Sequence, residues 1–178
     1  MLQHTITAPL NPTRVVILGA QGFVGKAATS ILKRHGVPML AFGRNDLDLL
    51  SGDAADRLAK LLRSTDSLLV ISARAPVKNA EMLLENIRMM APVCKALTSS
   101  PVRHVVYISS DAVYKDSKTP LTEASCAEPE SLHGAMREVS ERFEQFRREP
   151  LLIGSIDTAT NRPPNSYAMA HRHSNCTN

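Results

Sequence analysis

The chain predicts an α/β fold in which helices cover both faces of a doubly wound parallel sheet. Two observations carry this. Short apolar runs that suit strands alternate with longer segments of helical periodicity, and such alternation implies right-handed crossovers between parallel strands. The run "SLLVISA", 67–73, has almost no polar alternation, as expected of a strand covered on both faces. The 178 residues suit one domain, since domains typically hold roughly 100–150 residues. The chain is 43% hydrophobic with no Trp and 4% aromatic, so Leu, Val, Ile, Ala and Met must fill the core.

The elements follow in order. "RVVILG", 14–19, is a β-branched run ending in glycine and reads as a buried strand. "FVGKAATSILKRHG" has helical periodicity; Lys33, Arg34 and His35 suit a helix C-terminus, and Gly36 can cap it. "VPMLAFG", 37–43, is a second strand with Pro38 at its tolerated start. Residues 53–63 form an amphipathic helix, and 67–73 the third strand. Residues 80–99 form a long helix in which Leu83, Ile87, Met90, Cys94 and Leu97 make one apolar stripe. Pro92 is expected to interrupt and kink it, at about 3 kcal/mol. "RHVVYISS", 103–110, is a strand, "SLHGAMREVSERFEQFRRE" a helix, and "LLIGSI", 151–156, a last strand.

Composition excludes several classes. The net charge of +4 comes from scattered residues without a Lys/Arg run, so an anionic small molecule such as a nucleotide is expected and a nucleic acid is not. Cys94, Cys126 and Cys176 are odd in number and lack CxxC spacing, which predicts reduced thiols in a cytoplasmic compartment and neither a disulfide framework nor structural zinc. Residues 1–13 form an N-terminal arm without the pattern of a signal peptide. No apolar run approaches the roughly 20 residues that span a bilayer, so no membrane partner is expected. Residues 157–178 are polar and proline-interrupted and read as an irregular, disordered tail. His171, His173 and Cys176 there lack a second ligand group at fixed spacing, so no metal site is assigned.

The chemistry-bearing segment is "GAQGFVG", 19–25, between the first strand and its helix. Three of the chain's eight glycines lie here. Such a turn needs positive φ, and backbone must approach a pyrophosphate without a Cβ in the way. The helix N-terminus then offers N–H groups to phosphate. A dinucleotide site is therefore expected over Gly19, Gln21, Gly22, Phe23, Val24 and Gly25. At the end of the second strand, "FGRND" puts Arg44 first, which favours a 2′-phosphate and hence NADP; Asp46 or Asp48 keeps NAD open through the ribose 2′-hydroxyl.

"VVILGAQGFVG", "VVYISSDAVY", "PLTE" and "SLHGAMREVSE", in this order and spacing, resemble the extended short-chain dehydrogenase/reductases. These are NAD(P)-dependent nucleotide-sugar epimerases, dehydratases and reductases. The resemblance runs from Arg14 to Ile153 and implies a Rossmann-type domain over residues 14–156. It places the family's catalytic serine at Ser110, its helix-borne tyrosine and lysine at His133 and Arg137, and a helix asparagine at Asn86. It also implies that Ala73, Arg74 and Ala75 line the cofactor, and that a homodimer forms through helices 80–99 and 131–148. Family members continue into a substrate-binding lobe where this chain has its short tail, so the resemblance implies a truncated member.

His133 and Arg137 depart from the family's YxxxK. They are four apart and share a helical face. Histidine has an unperturbed pKa near 6.5 and exchanges protons at neutral pH without a helper. Beside a guanidinium it tends to stay neutral. Arginine can donate to ribose hydroxyls, and Ser110 can polarise a carbonyl. The expected function is an NAD(P)-dependent oxidoreductase or epimerase acting on a nucleotide-sugar-like substrate. The competing readings are a non-catalytic dinucleotide-binding module and an ordinary helix start in which Arg137 pairs with Glu141.

Overall fold

A computed structural model describes residues 11–118, 120–122, 125–145 and 153–154. Most of the expected N-terminal arm and the whole 157–178 tail lie outside the described residues, as does Cys176. The elements run β1 (Val15–Leu18), α1 (Phe23–Arg34), β2 (Met39–Phe42), α2 (Ala54–Leu61), β3 (Ser67–Val70), α3 (Ala80–Ser99), β4 (His104–Tyr107), α4 (Leu132–Gln145) and β5 (Ile153–Gly154). A 3-10 turn, Asp111–Val113, follows β4.

All strand pairs are parallel and the order is β2-β1-β3-β4-β5. From β1 the chain steps one way to β2, then crosses β1 and proceeds the other way. Right-handed crossovers then send α1 to one face and α2, α3 and α4 to the other. The packing agrees: α3 lies between α2 and α4, while α1 rests against β1. The topological switch falls between β1 and β3, and ligands in such sheets bind beyond the strands' carboxyl ends at that point.

The main core lies on the three-helix face. Val16, Leu18, Leu68, Val70, Val105 and Tyr107 of the sheet meet Leu58, Met90, Val93 and Leu97 of the helices. The α3 stripe is rotated from its predicted position. Met90 and Leu97 are buried as expected, joined by Asn86, Val93 and Ala96, whereas Leu83, Ile87 and Cys94 are only half-buried. A helix flanked on both sides buries an arc set by its neighbours as well as by its own apolar period. The helix also continues through Pro92 to Ser99; the buried residues on either side hold it there.

Gly36 has φ +64. Its N–H donates to the Lys33 carbonyl and that of Val37 to the Leu32 carbonyl, which closes α1 with a left-handed cap. The cysteine expectation is corrected at one position: Cys126 is disulfide-bonded, while Cys94 is a half-buried thiol. Spacing along a chain does not report which cysteines meet in space.

A buried ion pair fixes the opposite end of the sheet from the glycine turn. Asp66, fully buried, accepts from Arg14 Nε at 2.8 Å and Nη2 at 2.6 Å, and from the Arg63 N–H at 2.8 Å. Arg14 Nη2 also donates to the Leu61 carbonyl at 2.9 Å. The Asp66 carbonyl accepts from the N–H groups of Arg103 and His104. One residue thus ties the entries of β1, β3 and β4 to the end of α2.

Burial pushes the Asp66 carboxyl up, but the Arg14 and Arg63 hydrogen bonds and charges outweigh it and hold it below the usual range. An unfolded aspartate titrates near 3.9. The pair therefore contributes stability above about that pH and loses it as pH falls through the lower folded value. Asp66→Ala leaves Arg14 without its counter-ion and is expected to cost roughly 3 kcal/mol. Urea unfolding at pH 7 checks the loss, and the gap between variant and parent should narrow toward pH 2.

Candidate functional site

A cleft of about 670 Å³ opens at the carboxyl ends of the strands, over the switch point. Its floor is stitched by paired backbone bonds. The N–H groups of Gly19 and Ala20 both donate to the Phe42 carbonyl, and those of Ile71 and Ser72 both donate to the Leu18 carbonyl.

The three glycines of the turn have different surroundings. Gly19 has φ +91, and a Cβ there would lie 2.7 Å from the Ser72 nitrogen. Gly25 packs the start of α1 onto the turn; a Cβ would collide with the Gly19 carbonyl oxygen and lie 2.7 Å from Ala20 Cα. Gly22 is different. Its φ is −72, and a Cβ would meet only the Gly19 oxygen at an ordinary 3.5 Å. The protein's own packing therefore does not demand glycine at 22. Gly22 is the N-cap of α1, gives no side-chain cap, and no acidic residue stands in the first turn. Its backbone faces the cleft together with Phe23, which is 93% exposed, and Val24. A helix start leaves its first N–H groups unbonded. These residues fit a dinucleotide pyrophosphate: free donors, a positive dipole end and no Cβ to obstruct approach.

At the end of β2, Gln21 lies against Gly43, where any Cβ would strike the Gln21 side chain. Gly43 thus makes room for Gln21 and joins the lining. Asp46 is occupied locally, accepting from the Gly43 N–H at 2.8 Å. Arg44 and Asp48 both line the cleft, paired at 3.7 Å on an exposed rim. Beyond β3, Ala73, Arg74 and Ala75 line it too, and the Arg74 guanidinium is paired with Glu85. Asn86 does not line the cleft. It is buried and grips the Arg74 backbone, accepting from its N–H at 2.7 Å and donating to its carbonyl at 3.1 Å.

The third wall is built by β4 and α4. Gly134 sets their distance, since a Cβ there would collide with the Ala112 carbonyl oxygen. Ser109, Ser110, His133 and Arg137 all line the cleft. Ser110 Oγ donates to Asp111 Oδ1 at 2.9 Å and accepts from the Ala112 N–H. No motif in the sequence marks Ser109; its hydroxyl donates to Glu141, which is 5% exposed. Glu141 pairs with Ser109, and Arg137 turns elsewhere. Arg137 Nη1 donates to the Ile108 carbonyl at 2.7 Å and lies 3.3 Å from the Tyr107 hydroxyl, with the guanidinium 5.9 Å above the Tyr107 ring centre. The surface pairing with Glu141 is thus replaced by a buried guanidinium, because α4 lies directly on the end of β4.

His133 Nδ1 and Arg137 Nε are buried without a hydrogen-bond partner among the described residues. Burial pushes the His133 imidazole down and the Arg137 charge adds to this, with Asp111 opposing. Its neutral form therefore prevails at pH 7. A folded value below the ordinary one near 6.5 means that protonation favours the unfolded state, so this group lowers stability as pH falls below about 6.5. NMR titration of His133 is expected to give a midpoint under 6.5, and Arg137→Met should raise it.

No curated protein matches the chain. Solved structures with similar folds include a GDP-L-fucose synthetase from Naegleria fowleri bound to NADP, at 18% identity and TM-score 0.69, over 84% of this chain and 54% of that one. A dTDP-4-dehydrorhamnose reductase from Clostridium acetobutylicum matches at 21% identity and TM-score 0.66, over 80% and 52%. MoeE5, in complex with UDP-glucose and NAD, matches at 24% identity and TM-score 0.69, over 80% and 52%. The chain spans about half the length of these proteins. A model of the NAD dependent epimerase/dehydratase family matches residues 15–150. With three glycines bridging strand and helix at the switch point of a parallel sheet, this chain belongs to the NAD dependent epimerase/dehydratase family.

Proposed function

We propose that the chain binds NADP or NAD along the cleft and acts as an oxidoreductase or epimerase on a nucleotide-sugar-like substrate. The carrying observation is Gly22, a glycine that faces the cleft and that the protein's own packing does not require. The family supplies the cofactor class. Proteins of like fold with NADP, or with UDP-glucose and NAD, support the substrate class.

The bound dinucleotide would supply a nicotinamide carbon that gives or takes a hydride. The chain's own residues do the rest. The N–H groups at Phe23 and Val24 hold the pyrophosphate. Arg44, mostly exposed on the rim, would meet a 2′-phosphate of NADP, and Asp48 beside it a ribose hydroxyl of NAD; the exposure of Arg44 supports the first. Ser110 orients the substrate oxygen, His133 exchanges its proton, and Arg137 donates to the ribose. Neutral at pH 7, His133 serves first as a base, taking the hydroxyl proton when substrate is oxidised.

The second reading, a dinucleotide-binding module without turnover, is favoured by one observation: the Ser110 hydroxyl is turned to Asp111. NADPH-dependent reduction of a keto-sugar nucleotide decides between them.

Two glycine variants test the cofactor site. Gly22→Ala should fold as the parent does and bind NADPH at least about tenfold more weakly, roughly 1.4 kcal/mol. Gly25→Ala should lose about 1–3 kcal/mol of stability from overpacking. Titration of NADPH emission measures the first and urea unfolding the second; unchanged binding in Gly22→Ala would remove the cofactor reading. The same reading includes a homodimer through α3 and α4, supported by Leu84, half-exposed on α3. Light scattering at micromolar concentration should give the mass of two chains.

A further inference from the structure

Among the described residues Arg137 is a buried charge that forms no ion pair. It is 8% exposed. Its hydrogen bonds go to neutral groups, the Ile108 carbonyl and the Tyr107 hydroxyl, and no carboxylate among the described residues forms an ion pair with it. Every other charged side chain lining the cleft is matched: Arg44 by Asp48, Arg74 by Glu85. Glu141, one turn further along α4, accepts from Ser109 instead. A guanidinium taken out of water without an anion is costly, and a carboxylate is the partner its fork fits best.

The ribose role given to Arg137 uses its donors and leaves its charge unmatched. A neutral sugar beside Ser110 and His133 would leave it unmatched as well. From this we infer that the substrate carries a carboxylate close to its reacting carbon, as in a sugar acid, and that Arg137 recognises it. The inference rests on the proposed function, since it concerns the substrate end of the same cleft. His133 and Arg137 lie four residues apart on one helical face, with Cβ atoms about 6 Å from each other. That spacing suits a hydroxyl at His133 and an acid group one or two carbons away at Arg137. The Asp111 carboxylate accepts the Ser110 hydroxyl and forms no ion pair with the guanidinium.

The test compares two ligands of one shape, D-glucuronate and D-glucuronamide, with the intact chain saturated in NADP. Binding is read by NMR shifts, so turnover is not required. A charge-assisted bond exceeds a neutral one by about 1.4 kcal/mol, so the acid should bind about tenfold more tightly than the amide. Arg137→Met should bring the ratio to one, and Arg137→Lys should keep most of it. Equal binding of acid and amide by the parent chain overturns the inference, as does a preference that survives in Arg137→Met, or no binding of either with NADP bound. The parent comparison stands even where a variant fails to fold. Failure of NADP itself to bind overturns the functional reading and this inference together; NADP binding without acid preference overturns only this one.

Discussion

The cleft depends on a contact between two parts of one turn, where the start of α1 lies directly on the Gly19 carbonyl and Ala20. No side chain at position 25 allows that approach. Gly19 can reverse the chain because its φ of +91 costs glycine little. The reversal brings its N–H and that of Ala20 to one carbonyl of β2, while β3 closes on Leu18 in the same way. Three strand ends and a helix start are thereby locked at fixed positions. The free donors of α1 then face open space over the switch point, and the site follows from this geometry.

The Arg14–Asp66 clasp does the complementary work at the other end. Parallel strands enter the sheet from separate crossovers, and nothing local aligns their first residues. Asp66 aligns them with both its side chain and its carbonyl. With the entries aligned, strands of four residues each end at one level. That is why residues distant in sequence, such as Arg44, Arg74 and Ser110, line one cleft.

Electrostatics on the α4 wall is cooperative. The Arg137 guanidinium sits over Tyr107 and holds the Ile108 carbonyl, so α4 is pinned to the end of β4. Burial pushes the neighbouring imidazole toward its neutral form, and the Arg137 charge adds to this.

Local patterns were legible in the sequence by itself. The spacing of Gly19, Gly22 and Gly25, the existence and order of the helices, the apolar run of β3 and the Gly36 cap are all short-range, and each appears where expected. The resemblance carried by the segments around Ser110 and His133 singled out three residues that line the cleft, Ser110, His133 and Arg137. What tertiary structure decided lies in long-range contacts that no spacing encodes. These include the rotated buried arc of α3, Asn86 gripping the Arg74 backbone, Glu141 bonded to Ser109, and the disulfide at Cys126. They also include the turn of Arg137 toward Ile108, twenty-nine residues away, instead of toward the glutamate one turn along its own helix. A side chain's period tells which face it occupies; what that face meets is known only once the strands beneath it are in place.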